Sequence, residues 1–157
     1  MAATYEPIAT TTLGSNQATV TFNSFGGYTD LILVANFTIT DSGQNYKVKF
    51  DSSSNYSDTR MLGTGSSAAS YRSSNEDGII IGNTYSGTNT AITQFMNYAN
   101  TSTYKTVLSR QNNAGTLVSA HVGLWRSTSA ITTMTLFQTA GSFVTGSTFT
   151  LYGIKAA

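Results

Sequence analysis

The sequence predicts an all-β protein: an antiparallel β-sandwich, jelly-roll-like, with about ten short strands in one domain over residues 1–157. Three observations predict it. Short runs alternate apolar and polar residues with the period of two that a half-buried strand requires. Thr, Val, Ile, Tyr and Phe dominate those runs, and all suit a pleated surface. Turn signals separate the runs (Gly26-Gly27, Asp41-Ser42-Gly43, Asn112 to Gly115, Gly141 with Gly146), and no segment sustains a 3.6-residue apolar period over three turns.

Residues 8–13 form the first run. In residues 18–22 small or apolar residues alternate with Thr19 and Thr21. Residues 31–35 are apolar on both faces, as expected of a central strand covered on each side, and alternation returns at Phe37 and Ile39. In residues 46–50, Lys47 and Lys49 must face water if Tyr46, Val48 and Phe50 face the core. From Asp51 to Glu76 the pattern weakens, and residues 59–62 read as one short strand between two long polar loops rich in Ser. Residues 78–82, 91–98, 104–110, 116–126 and 130–138 follow as strands. Asn112 to Gly115 closes a hairpin, because Asn and Gly tolerate positive φ. Residues 148–154 are the last strand, expected in the middle of a sheet, so that its removal exposes core.

Composition narrows the function classes. Ser and Thr make up about 30% of the chain and charged residues only 10%, against about 25% in an ordinary domain. One His, no Cys and seven carboxylates leave few groups to move protons or bind metals, so packing or binding is favoured over catalysis and no cofactor is expected. Nine Tyr and eight Phe can supply a core. The eight Lys and Arg are scattered singly, giving neither a basic stripe for nucleic acid nor a polybasic run for a membrane. The absence of Cys excludes disulfides and thiolate zinc sites. No basic segment followed by an apolar run opens the chain, so no signal peptide is expected and the protein is expected to fold in the cytoplasm where it is made. No apolar stretch approaches the roughly 18 residues that span a bilayer as a helix.

Several residues invite a functional reading. His121 lies in an alternating run with Val118, Ala120, Val122 and Leu124 on one face and Leu117, Ser119, His121 and Trp125 on the other. It could act as a base only beside a nucleophile and an orienting acid, and no Gly-x-Ser-x-Gly elbow accompanies it, so it reads as a structural or interface residue. Asp51, Asp58, Glu76 and Asp77 could pair as acid and nucleophile only if the fold brings them together. Residues 51–58 place oxygen groups at alternate positions, faintly like a calcium loop, but Tyr56 stands where the EF-hand needs Gly; a solvated turn is the better reading. Trp125 beside Arg126 could stack on a sugar or anchor an interface, or else support the core. Tyr71-Arg72 and Asn55-Tyr56 are lesser candidates for interface or glycan contact. Asn36, Asn55 and Asn100 fit the glycosylation pattern, which in so Asn-, Ser- and Thr-rich a chain arises by chance.

The opening Tyr5-Glu6-Pro7-Ile8-Ala9-Thr10-Thr11-Thr12-Leu13-Gly14-Ser15 resembles small virion-associated proteins of tailed phages of the marine and cyanophage type. So do Tyr28-Thr29-Asp30-Leu31, Arg72-Ser73-Ser74-Asn75, Met96-Asn97-Tyr98, Thr106-Val107-Leu108-Ser109-Arg110, Val122-Gly123-Leu124-Trp125-Arg126 and the strand from Gly146 to Ile154. The resemblance implies a virion structural component without catalytic residues. With no shaft or coiled coil in the chain, the expectation is a capsid decoration (cement) protein, a symmetric homo-oligomer, most simply a trimer, packed on the major capsid protein or other virion proteins. The alternative is a tail or fibre-tip module that binds a host surface glycan through Trp125 and neighbouring Tyr, Asn and Asp residues.

Overall fold

The computed structural model describes residues 5–51 and 54–155. Twelve strands follow one another: β1 (Tyr5–Thr12), β2 (Thr19–Asn23), β3 (Asp30–Phe37), β4 (Gln44–Phe50), β5 (Tyr56–Gly63), β6 (Ala68–Glu76), β7 (Ile79–Thr84), β8 (Asn89–Phe95), β9 (Lys105–Asn113), β10 (Leu117–Trp125), β11 (Thr133–Gln138) and β12 (Thr148–Ile154). All pairings are antiparallel. They build an eight-stranded sheet, β1-β12-β3-β8-β9-β10-β5-β6, and a four-stranded sheet, β2-β11-β4-β7. The fold is the antiparallel β-sandwich that the alternation predicts.

The last strand lies inside the large sheet, between β1 and β3, with Phe149 and Leu151 fully buried. The doubly apolar run is β3: Leu31, Leu33, Ala35 and Phe37 point into the core, while Ile32 faces outward between Gln94 and Tyr152 of its neighbours. The β9–β10 hairpin closes as expected, with Thr116 N donating to Asn113 O at 2.9 Å. Pro7 sits on an edge strand beside a bulge, where its missing N–H costs no ladder bond.

Two expectations are corrected. Residues 68–76 are not a loop but β6, the edge strand beyond β5. Its side chains are exposed or half-buried and Ser-rich, so no apolar period betrays it; pairing to β5 holds it along its length. Lys47 is not solvated. It points away from the core, but Glu76 Oε2 at 2.8 Å and Asp77 Oδ1 at 2.6 Å close over its ammonium. Burial lowers its pKa and the two carboxylates more than offset that, so the net shift is upward. Asn75, at φ 58°, is the extra residue of the bulge that interrupts the β5–β6 register and turns Glu76 towards Lys47.

Aromatic rings fill much of the space between the sheets. Phe37 lies 4.8 Å from Tyr46, 5.4 Å from Phe143 and 5.8 Å from Phe149, and Phe50 lies 5.8 Å from Phe95 and 5.4 Å from Trp125. The pairs are tilted or edge-to-face, except Phe37 and Phe149, which stack. β7 lies so close on β10 that a Cβ on Gly123 would meet Ile79 Cγ2 at 2.1 Å.

Candidate interaction surface

Strand β10 places its side chains against the usual rule. Leu117, Ser119, His121, Gly123 and Trp125 point inward and are buried, while Val118 and Val122 point outward at 62% and 50% exposure. The aliphatic face is the outer one because the inner one joins a polar network that reaches β7 through β9. Ser109 Oγ donates to Ile81 O at 2.7 Å and meets Thr93 Oγ1 at 2.9 Å. Gln111 Oε1 accepts from Asn83 N at 3.3 Å and from Ser119 Oγ at 3.0 Å, and His121 Nε2 lies 2.9 Å from Ser119 Oγ. Polar groups with partners can be buried at little net cost, and here they form the contact between the sheets.

This packing answers the catalytic readings. His121 and Ser119 do meet, but both are buried and the hydroxyl is shared with Gln111. Burial and the nearby Arg60 guanidinium push the His121 pKa down to about 4, against a weaker upward pull from the Ile80 backbone, so the ring is neutral at pH 7. Each loop carboxylate has a protein partner. Asp51 accepts from Thr132 Oγ1 at 2.5 Å and Thr133 N at 3.0 Å, Asp58 pairs with Arg60 at 2.7 Å, and Glu76 and Asp77 hold Lys47. Burial raises the Asp58 pKa, with Arg60 opposing it. Of the calcium-like stretch, Ser52 and Ser53 lie outside the described residues, and its two carboxylates are turned to these partners.

The seven candidate contact residues do not form one site. Trp125 is core, not a platform: it is 2% exposed, packed on Phe50 and stacked 6.3 Å from Tyr56. Tyr56 is fully buried; its hydroxyl donates to Phe50 O and accepts from Phe50 N. His121 is buried as described. These three are corrected as contact residues, because the inward phase of β5 and β10 encloses them. Asn55 is exposed at φ 75°, and its carbonyl accepts from Arg126 N at 3.2 Å. Tyr71 is half-exposed and turned to the inner side, its ring 5.3 Å from the Arg60 guanidinium. Arg72 faces the opposite way, level with Thr59, and Arg126 follows the outward Leu124 at the end of β10.

The surface that the structure assembles lies elsewhere. Antiparallel register sets Ile92, Arg110, Ala120, Met61 and Ser70 in one row across the outer face of β8, β9, β10, β5 and β6. The row beside it reads Gln94, Leu108, Val122, Thr59 and Arg72. Met61 is 66% exposed and Ile92 36%. A shallow groove lined by Met61, Ile92, Leu108, Ala120 and Val122 runs through it. From Ile92 to Met61 is three strand spacings, about 14 Å, and Val118 to Val122 spans a similar length along β10. Exposed aliphatic side chains clustered on one face, with Arg110 between Ile92 and Ala120, make this the candidate interaction surface. Met61, Ile92 and Arg110 were not singled out by sequence, because they meet only through register. A scan against protein-family models finds no match, and neither do searches of the curated proteins and of the solved structures.

Proposed function

We propose that the protein is a virion structural component, a capsid decoration protein that docks through the outer face of its large sheet and adds contact area to an assembled lattice. The observation that carries this reading is the reversed β10, which buries polar groups and presents Met61, Val118 and Val122 to the outside. The resemblance to small phage virion proteins supplies the setting. A ligand of the assembled lattice alone stabilises it by mass action. Copies arranged as a trimer meet through heterologous contacts, and the low charge of the chain keeps repulsion between neighbours small. The reading is non-enzymatic, supported by the engagement of each loop carboxylate with a protein partner. The glycan alternative loses its main support, since Trp125 and Tyr56 are enclosed. Quantitative mass spectrometry of purified particles tests the proposal. Copy numbers comparable to the capsid lattice are expected, with loss of heat or osmotic resistance in particles that lack the protein. A few copies per particle would refute the decoration role.

A further inference from the structure

Across β8, β9, β10, β5 and β6 the outer face carries charge as well as aliphatic surface, and all of that charge has one sign. Of the eight Lys and Arg in the chain, Lys47 is held by Glu76 and Asp77, Arg60 by Asp58 and Lys155 by Glu6. Lys105 donates to Thr103 O and Thr128 O, and Lys49 lies over the Phe137 ring. Arg72, Arg110 and Arg126 remain, and among the described residues none of their side chains has a hydrogen bond, ion pair or ring contact within the chain. All three lie on the outer side of the large sheet, around the Met61–Val118–Val122 patch. Arg110 sits inside it, between Ile92 and Ala120. No carboxylate points outward from β8, β9, β10, β5 or β6: Asp58 faces the interior with its side chain fully buried, and Glu76 is drawn to Lys47.

We infer that this face binds an apolar protein surface bearing carboxylates, with Arg110 as the ion-pair anchor; the inference rests on the docking role proposed above and names the partner's chemistry. Arg is enriched at interface centres, where its planar fork pairs with carboxylates and its stem packs on apolar groups. A second copy set face to face would bring arginines against arginines with no carboxylate to separate them, which disfavours self-pairing here. A nucleic acid would leave Met61, Val118 and Val122 facing phosphates, and β8, β9, β10, β5 and β6 turn no aromatic side chain outward to stack on a base or a sugar.

The test uses the full-length chain as bait for a yeast-displayed library of random twelve-residue peptides. Enriched peptides are expected to combine Asp or Glu with Leu, Ile or Val, and Arg110→Glu is expected to weaken their binding by about tenfold or more. Val122→Asp, at an exposed site, should weaken it as well with the fold intact. If enriched peptides lack carboxylates but still lose binding in Val122→Asp, the partner chemistry is wrong and the docking role stands. If nothing enriches, or the binders ignore both substitutions, the inference and the docking role both fail. Two further outcomes overturn the inference: a concentration-dependent dimer in sedimentation velocity that Val122→Asp abolishes, which would put a second copy on the face, and co-sedimentation with phosphatidylglycerol vesicles that Arg110→Glu abolishes, which would put a lipid surface there.

Discussion

Beneath β4 and β11 the sheets meet through aromatic rings; beneath β7 hydroxyls, amides and an imidazole share the contact with Ile79 and Ile81. Phe37, Tyr46, Phe143 and Phe149 fill the first region with no exposed surface to spare. Ser109, Gln111, Ser119 and His121 are almost as deeply buried in the second. Shape holds the first and direction holds the second. That contrast explains why the outside of β10 can be aliphatic: Ser119 and His121 on its inner face join a network that Ser109 and Gln111 of β9 tie to β7, so the outer Val118 and Val122 are not needed to build the fold.

The largest effect should come from removing a strand of the aromatic region. A chain ending at Ser147 lacks β12, leaving β1 without a partner in the sheet and Phe37 without Phe149. It is expected to be insoluble or unfolded. A monodisperse product melting like the full chain would show that the aromatic region is not the foundation it is taken to be.

Within the intact chain, the aromatic region should respond to lost volume more than the polar region does to a lost hydroxyl. Phe37→Ala should destabilise by about 3–5 kcal/mol through the cavity it leaves. Ser109→Ala, which deprives Ile81 O and Thr93 of a partner, should cost about 1–3 kcal/mol. Urea unfolding of both variants checks the order. If Ser109→Ala proves the more damaging, the hydrogen-bonded contact of β7 is the dominant one.

The same contrast explains what could be read from the sequence. The aromatic strands were legible, because in Tyr46, Val48 and Phe50 the buried face and the apolar face coincide. β10 showed its two faces but not their direction, since Ser119 and His121 look like an outer face until the fold sets them against each other and Gln111 of β9. Trp125, in phase with them, was the available signal: a large ring and a polar pair share one side, and the ring is more costly to expose. β6 was hidden because an edge strand packed on neither face needs no apolar pattern. The outer patch was hidden because its residues come from five strands and meet only through register.

Acid should weaken the polar region selectively. The folded pKa of His121 is about 4, below the ordinary value of 6.5, so between those two values the unfolded chain binds the extra proton. Stability from this group is complete above pH 6.5 and is lost as pH falls towards 4, a change of about 3 kcal/mol. Asp58 works in the opposite sense: its raised pKa makes protonation favour the folded chain. Urea midpoints at pH 7 and pH 4.5, compared with those of His121→Gln, isolate the histidine. Equal pH slopes in the two proteins would mean that the imidazole is not the group that senses acid.

The smallest effect should fall where the side chains are most aliphatic. Val122→Ser and Met61→Ser remove apolar surface that the isolated chain leaves exposed, so each should shift stability by no more than about 0.5 kcal/mol. A Val in the middle of a strand would ordinarily be assigned to the core, and its loss there would cost several times as much. Thermal melts of the two variants therefore decide which way β10 faces without reference to any partner. A large drop for Val122→Ser, with Ser119→Ala silent, would turn the strand over and bring His121 to the surface.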